Sequence, residues 1–171
     1  MDMAQWKHTA TAEVPAGSIV LHEDNVYLAC HDDFLDDNAL GFLVLSGPLC
    51  GHVDRIDAPG CRVFQGEVAF EPSMDEAAAD GVEPGEYIAC LLVTPEGMRL
   101  VAHADGYNVL VTCQGQVVRV HGVSSDWPVI GAWTLVLIGP GDQRTRFLEV
   151  KAVPEAFGSE LSDPAGRASP I

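Results

Sequence analysis

Three glycine-containing turns within residues 86–122 constrain the fold more than any other feature of the chain. Glu96-Gly97, Asp105-Gly106 and Gln114-Gly115 separate runs that are rich in Val, Leu, Ile and Tyr. Glycine accepts the positive φ that tight hairpin turns require, so the spacing predicts four antiparallel strands joined by two-residue loops. Similar runs recur along most of the chain. We therefore predict an all-β fold, a single compact β-barrel or β-sandwich of about ten short, mostly antiparallel strands.

Two-residue loops fix the pairing register of the four strands, and the register decides which side chains share a face. One face then carries two apolar rows, which we expect to lie in the core. These rows are Leu91, Ala102, Val109 and Val120, and Val93, Leu100, Val111 and Val118. The opposite face mixes arginine and threonine with apolar residues such as Leu92, Val101 and Leu110, so we expect it to be partly solvated.

On the mixed face, the same register aligns Cys90, His103, Asn108 and His121 as cross-strand neighbours, with Cβ atoms about 4.5–5.5 Å apart. A thiol beside an imidazole and an amide indicates a cysteine hydrolase, in which His103 takes the proton of Cys90 and Asn108 orients the ring. Cys90, His103 and His121 are also suited to bind zinc. The remaining interpretation is a half-buried polar row without a catalytic role, and we expect a protein that is not an enzyme.

The acidic run at residues 30–38 is the densest polar patch of the chain. Its carboxylates belong to Asp32, Asp33, Asp36 and Asp37. Carboxylates suit calcium, magnesium or manganese, but the spacing is not that of a calcium-binding loop. We therefore predict no cofactor, with a divalent metal as the alternative, and we consider these residues a solvated loop or a contact surface for a partner.

The net charge of −16 is concentrated in the first hundred residues, which hold 18 acidic and four basic side chains. Such a surface repels phosphate backbones and anionic lipids, so we expect neither a nucleic-acid nor a membrane partner. An acidic surface attracts basic proteins and accelerates their association. The charge therefore favours a protein partner, with a basic surface preferred.

Location and domain limits follow from the apolar runs and the cysteines. The longest apolar run, residues 129–139, is too short to span a bilayer, and the first residues lack a signal-peptide pattern. Five widely spaced cysteines without a C-x-x-C pair indicate free thiols, and we expect a cytosolic protein. We predict an N-terminal arm at 1–13, an all-β domain at 14–153 with at most one short helix near 73–80, and a flexible tail at 154–171.

Two further segments predict local structure. Glu23-Asp24 predicts a tight turn between strands at 18–22 and 25–31. Residues 61–70 predict one strand, in which Gly66 forms a bulge.

Trp127 and Trp133 flank Pro128 near the start of a strand. Aromatic residues in such a position line the mouth of a ligand pocket or close the end of a barrel. Our leading hypothesis is a non-catalytic acidic domain that binds a protein. The alternatives are a small hydrolase or metal enzyme centred on the cysteine–histidine row, and a β-barrel that binds a small apolar ligand, with these tryptophans at its mouth. Exposed sheet edges also allow a homodimer.

Overall fold

The computed structural model describes residues 5–31, 40–56, 60–73, 87–119 and 126–154. Within these ranges the chain forms sixteen β-strands and two short 3-10 turns, so the all-β prediction is confirmed. The helix predicted near 73–80 lies, beyond Ser73, outside the described residues, as does the tail after Pro154. No helix in the described part of the chain is long and apolar enough to cross a bilayer.

The first six strands form one antiparallel sheet. They are β1 (Trp6–Thr9), β2 (Ile19–His22), β3 (Asn25–His31), β4 (Leu40–Val44), β5 (Val53–Asp54) and β6 (Cys61–Phe64). Their order across the sheet is β1-β6-β2-β3-β4-β5. The predicted turn between β2 and β3 is confirmed, because Glu23 and Asp24 occupy it with φ of 44° and 65°. Residues of the predicted N-terminal arm belong to this sheet, since β1 pairs with β6 at its edge.

The remaining strands form three smaller sheets. They are β7 (Glu67–Pro72), β8 (Tyr87–Ile88), β9 (Leu91–Thr94), β10 (Gly97–Ala104), β11 (Tyr107–Val111), β12 (Val117–Arg119), β13 (Val129–Ile130), β14 (Ala132–Ile138), β15 (Arg144–Lys151) and β16 (Val153–Pro154). The orders are β12-β11-β10-β9-β13 in the five-stranded sheet and β15-β14-β7 in the three-stranded sheet, and β8 pairs with β16.

The prediction of one strand over residues 61–70 is wrong. The chain leaves the six-stranded sheet after Phe64 and enters the three-stranded sheet at Glu67. Gly66 lies at this crossing, where a Cβ atom would be 2.5 Å from the carbonyl oxygen of Ile138. Only glycine allows so close an approach of two backbones, so Gly66 marks a change of sheet rather than a bulge.

The predicted register is correct for one of the three hairpins. Between β10 and β11, His103 lies opposite Asn108 and Ala104 opposite Tyr107, as predicted. The loop has two residues, Asp105 and Gly106, both with positive φ (49° and 83°). Two positive φ values are typical of a type I′ turn, whose twist matches that of the flanking strands.

The register between β9 and β10 differs from the prediction by two residues. Thr94 pairs with Gly97, so the loop consists of Pro95 and Glu96. Proline presets the φ of the first central turn position, and glycine is favoured just after the turn. A shift of two residues keeps every side chain on its predicted face of the sheet. It nevertheless places Val93 at the exposed end of the hairpin instead of in the core.

The register between β11 and β12 differs by one residue, which exchanges the faces of β12. The loop has three residues, because Gly115, with φ of 74°, is inserted before the strand and the nitrogen of Thr112 donates to the oxygen of Gln116. Val117 is therefore buried (7 % exposed) while Val118 is 47 % exposed, so the predicted core position of Val118 is wrong. Val120 lies outside the described residues.

The central core lies between the three larger sheets. Its members include Leu28, Leu43, Leu91, Leu100, Val111, Trp133 and Leu135. The centre of the other face of the five-stranded sheet is buried too, so the expected solvation of Leu92, Val101 and Leu110 is wrong. Ile88 from β8 and Val129 from β13 complete this second cluster, which distant segments cover.

Two parallel bridges of one residue pair each join the six-stranded sheet to the five-stranded sheet. They are His31 to Gln116 and His52 to His103. The series β3, β4, β5, β10, β11 and β12 therefore returns to β3, although no sheet of the described residues closes into a barrel. The two bridges leave a gap between the sheets, and this gap positions the candidate site.

Candidate functional site

A cleft of about 260 Å³ opens between the two bridges. Its floor consists of buried or half-buried residues from β3, β4, β5, β10 and β12, and its rim of exposed charged residues. The floor residues are Cys30, Leu40, Gly41, Val53, Ala104 and Val117, and the rim residues are Asp54, Arg55 and Asp105. An apolar floor below a few polar groups is typical of small-molecule sites.

A backbone hydrogen bond holds one of the two described rim carboxylates, and a tight turn carries the other. Asp54 Oδ1 accepts a hydrogen bond from the backbone nitrogen of Arg55 at 2.7 Å. Asp105 occupies the first central position of the β10–β11 turn, with φ of 49°. Among the described residues, the rim therefore presents two carboxylates and one guanidinium group, a net charge of −1.

An imidazole pair lies on the other side of the strands that form the cleft. The ring centroids of His52 and His103 are 5.5 Å apart, and His103 Nδ1 is 3.2 Å from Asn108 Oδ1. The backbone nitrogen of His103 donates to the oxygen of Gly51 at 2.8 Å. Because side chains alternate along a strand, His103 faces away from the cleft that Ala104 lines.

The structure does not place Cys90 opposite His103. The oxygen of Cys90 accepts from the nitrogen of Val101 at 2.8 Å, and Ala89, with φ of 58°, donates to the oxygen of the same valine. The thiol is 2 % exposed and donates to the oxygen of Tyr87 at 3.6 Å. Burial raises the pKa of Cys90 to about 11, so this environment opposes the thiolate that a hydrolase needs.

Cys90 is expected to resist alkylation in the folded protein. A pKa of about 11 instead of 9.0 leaves about a hundredfold less thiolate at pH 8, and burial hinders access further. Iodoacetamide at pH 8, followed by peptide mass spectrometry, should therefore label the half-buried Cys113 first and Cys90 at least about a hundredfold more slowly than a free thiol. Labelling of Cys90 at the rate of a free thiol would restore the hydrolase hypothesis.

The acidic-run and metal-site predictions rest partly on residues that the structure does not describe. Asp32, Asp33, Asp36, Asp37 and His121 lie outside the described residues. Within the described ranges, no group of three or more His, Cys, Asp or Glu side chains is arranged to hold a metal ion.

The two tryptophans do not share a pocket mouth. Trp133 is 1 % exposed in the central core, and its Nε1 donates to the oxygen of Ala89 at 2.8 Å. Trp127 packs, half-buried, against the cluster on the opposite face of the five-stranded sheet. The described cleft lies elsewhere, between the two bridges.

Sequence reasoning missed most of the cleft, because five strands from distant parts of the chain contribute one or two residues each. His52 was missed for the same reason, since no H-x-H or similar spacing marks it.

Comparisons of the chain with protein-family models, with curated proteins and with solved structures found no match. The cleft is therefore assigned as the candidate site on its geometry.

Proposed function

We propose that this protein is a non-catalytic cytosolic domain that binds a basic protein partner. The uneven distribution of acidic residues along the sequence carries the proposal. The described residues hold eleven acidic and eight basic side chains, which gives a charge of −3. The other residues hold fourteen acidic and one basic side chain and therefore contribute −13 of the total of −16.

Two internal connections account for most of this surplus. Residues 32–39 contain four acidic and residues 74–86 five acidic side chains, and neither segment contains a basic one. Concentrated like charges repel each other and oppose compaction. Association with a basic surface would relieve this repulsion and would accelerate the encounter of the two proteins.

Some charged side chains on the strands have a polar partner on a neighbouring strand. Arg144 on β15 pairs with Glu71 on β7 across the three-stranded sheet. Arg146 donates to the hydroxyl oxygen of Thr134 at 3.0 Å on the same sheet. Charges on the scaffold are thus partly compensated locally, whereas those of the two connections have no basic residue within their own segments.

Salt-dependent capture tests the proposal. The full chain is immobilised, exposed to cytosolic extract at low salt and eluted with rising salt, and the captured protein is purified to measure its affinity. We expect a basic partner that elutes as salt rises, because counterions screen exposed charges beyond about 8 Å at physiological ionic strength. Retention of no salt-sensitive partner would contradict the proposal.

A matched pair of variants separates a specific patch from net charge. Changing Asp32, Asp33, Asp36 and Asp37 to Asn removes four charges from one connection. The control removes four from the scaffold, at exposed positions, through Glu13→Gln, Glu23→Gln, Asp142→Asn and Glu149→Gln. At a few tenths of a kcal/mol per exposed charge, the first variant should bind about tenfold more weakly and the control within about threefold of the parent. Equal losses would mean that net charge alone acts.

A further inference from the structure

We propose that the cleft between the two bridges binds a small organic cation that combines an apolar stem with an ammonium group. The residues that define this site are not those of the acidic connections, and its occupation needs no protein partner. The inference goes beyond the proposed function and is tested independently of it.

The size and floor of the cleft suit a short apolar stem. Its volume of about 260 Å³ lies just below the roughly 300–1,000 Å³ of sites for drug-sized ligands. Val53 and Ala104 are partly buried and pack against the central core, and Val117 belongs to it, so the floor is apolar and continuous with the core. A stem placed there removes apolar surface from water on both sides, which favours binding.

Small residues keep this floor accessible. Ala104, the last residue of β10, ends at its Cβ atom. A Cβ atom on Gly41 would lie 2.9 Å from Cγ1 of Val53, so the absence of a side chain at this position lets the valine lie directly against β4. The cleft therefore depends on the small size of both residues.

The rim favours a cation over an anion. Asp54, held by a backbone hydrogen bond, and Asp105, in the β10–β11 turn, supply two carboxylates, whereas Arg55 supplies the one positive charge that the described lining contains. The chain as a whole carries −16, so its field concentrates cations and repels anions. A ligand with an ammonium group at the rim carboxylates and an apolar stem on the floor complements both the charge of the rim and the apolar surface of the floor.

Three probes with the same stem test the chemistry. Hexylammonium, hexanol and hexanoate are titrated into the ¹⁵N-labelled full chain, and amide shifts of Val53, Ala104 and Val117 are followed by NMR. We expect saturable shifts in the order hexylammonium, hexanol, hexanoate, with the ammonium bound at least about tenfold more tightly than the carboxylate. Absence of saturable shifts at these amides, or equal binding of all three probes, would overturn the inference.

A pair of matched variants tests whether the Asp105 carboxylate contributes to binding of the ammonium group. Asp105→Asn removes a rim carboxylate and preserves the turn, because Asn-Gly suits a type I′ turn as well as Asp-Gly does. Asp24→Asn removes the same charge from the other tight turn of this kind, which does not line the cleft. Asp105→Asn should weaken hexylammonium binding about fivefold and Asp24→Asn less than twofold. Equal effects would overturn the assignment.

A cleft-filling variant provides a second readout. Ala104→Leu places a larger side chain on the floor and should abolish the shifts with all three probes. Its folding is checked by the dispersion of the amide spectrum. Persistent hexylammonium binding in folded Ala104→Leu would show that the probe binds elsewhere, and Asp105→Asn decides the question if this variant does not fold.

Discussion

Replacing Gly115 by alanine is expected to destabilise the protein by about 4 kcal/mol or more, or to prevent soluble expression. Gly115 has φ of 74°, and a Cβ atom there would lie 2.2 Å from the oxygen of Ala29 and 2.4 Å from the nitrogen of Gly17. These two atoms are joined by a hydrogen bond of 2.8 Å. The methyl group would therefore break the hydrogen bond by which the segment before β2 joins β3, and would separate the two sheets at the bridge beside it.

The Gly106→Ala variant is the matched control for this prediction. Gly106 also has a positive φ (83°) in a hairpin turn, but no atom lies within 4 Å of the added Cβ position. Its cost should be limited to the strain of a left-handed alanine, about 1–2 kcal/mol. Urea denaturation measures both free energies of unfolding. A Gly115→Ala variant within about 1 kcal/mol of the control would contradict the close approach of the two sheets.

Trp133→Phe is expected to cost about 2–4 kcal/mol, because it removes both a buried donor and part of a large side chain. The indole Nε1 donates to the oxygen of Ala89, which is itself buried, and the ring packs 4.9 Å from the ring of Phe70. Without the indole this carbonyl oxygen loses its partner. Ala89 also holds a left-handed φ of 58°, which the surrounding contacts must stabilise.

Trp127→Phe makes the same chemical change at a half-buried position that packs against the second cluster. It should cost less than about 1.5 kcal/mol, since a phenyl ring preserves most of the apolar contact. Thermal and urea unfolding of the two variants give the comparison. Equal losses would show that the hydrogen bond of Trp133 contributes nothing measurable.

Local turn chemistry decided how much of the fold could be predicted. Asp105-Gly106 suits one turn type, and the register that follows from it is correct. At the other two glycines the sequence allows loops of different position or length. Gly97 follows its turn instead of occupying the centre, and Gly115 is an additional residue before the strand. A difference of two residues preserved the faces, whereas a difference of one exchanged Val117 and Val118.

The candidate site could not be predicted because its residues are joined only by long-range contacts. Residues as distant as Cys30 and Val117 line the same cleft. The register of the Asp105-Gly106 turn correctly placed His103 beside Asn108. The ring of His52 lies beside His103 only because a single bridge joins the two sheets there. The burial of Cys90 was missed for the same reason, since β8 and β13 cover a face that alternation alone predicts to be mixed.

The cleft exists only if the six- and five-stranded sheets meet at the two bridges. The amide of His31 donates to the oxygen of Gly115 at 2.7 Å at one bridge, and the amide of His103 donates to the oxygen of Gly51 at 2.8 Å at the other. A ¹⁵N-edited NOESY spectrum of the full chain is the most direct test. We predict cross-peaks from these amide protons to the Hα protons of their acceptor residues. Strong cross-peaks within each sheet, together with none between the sheets, would contradict the fold and the site built on it.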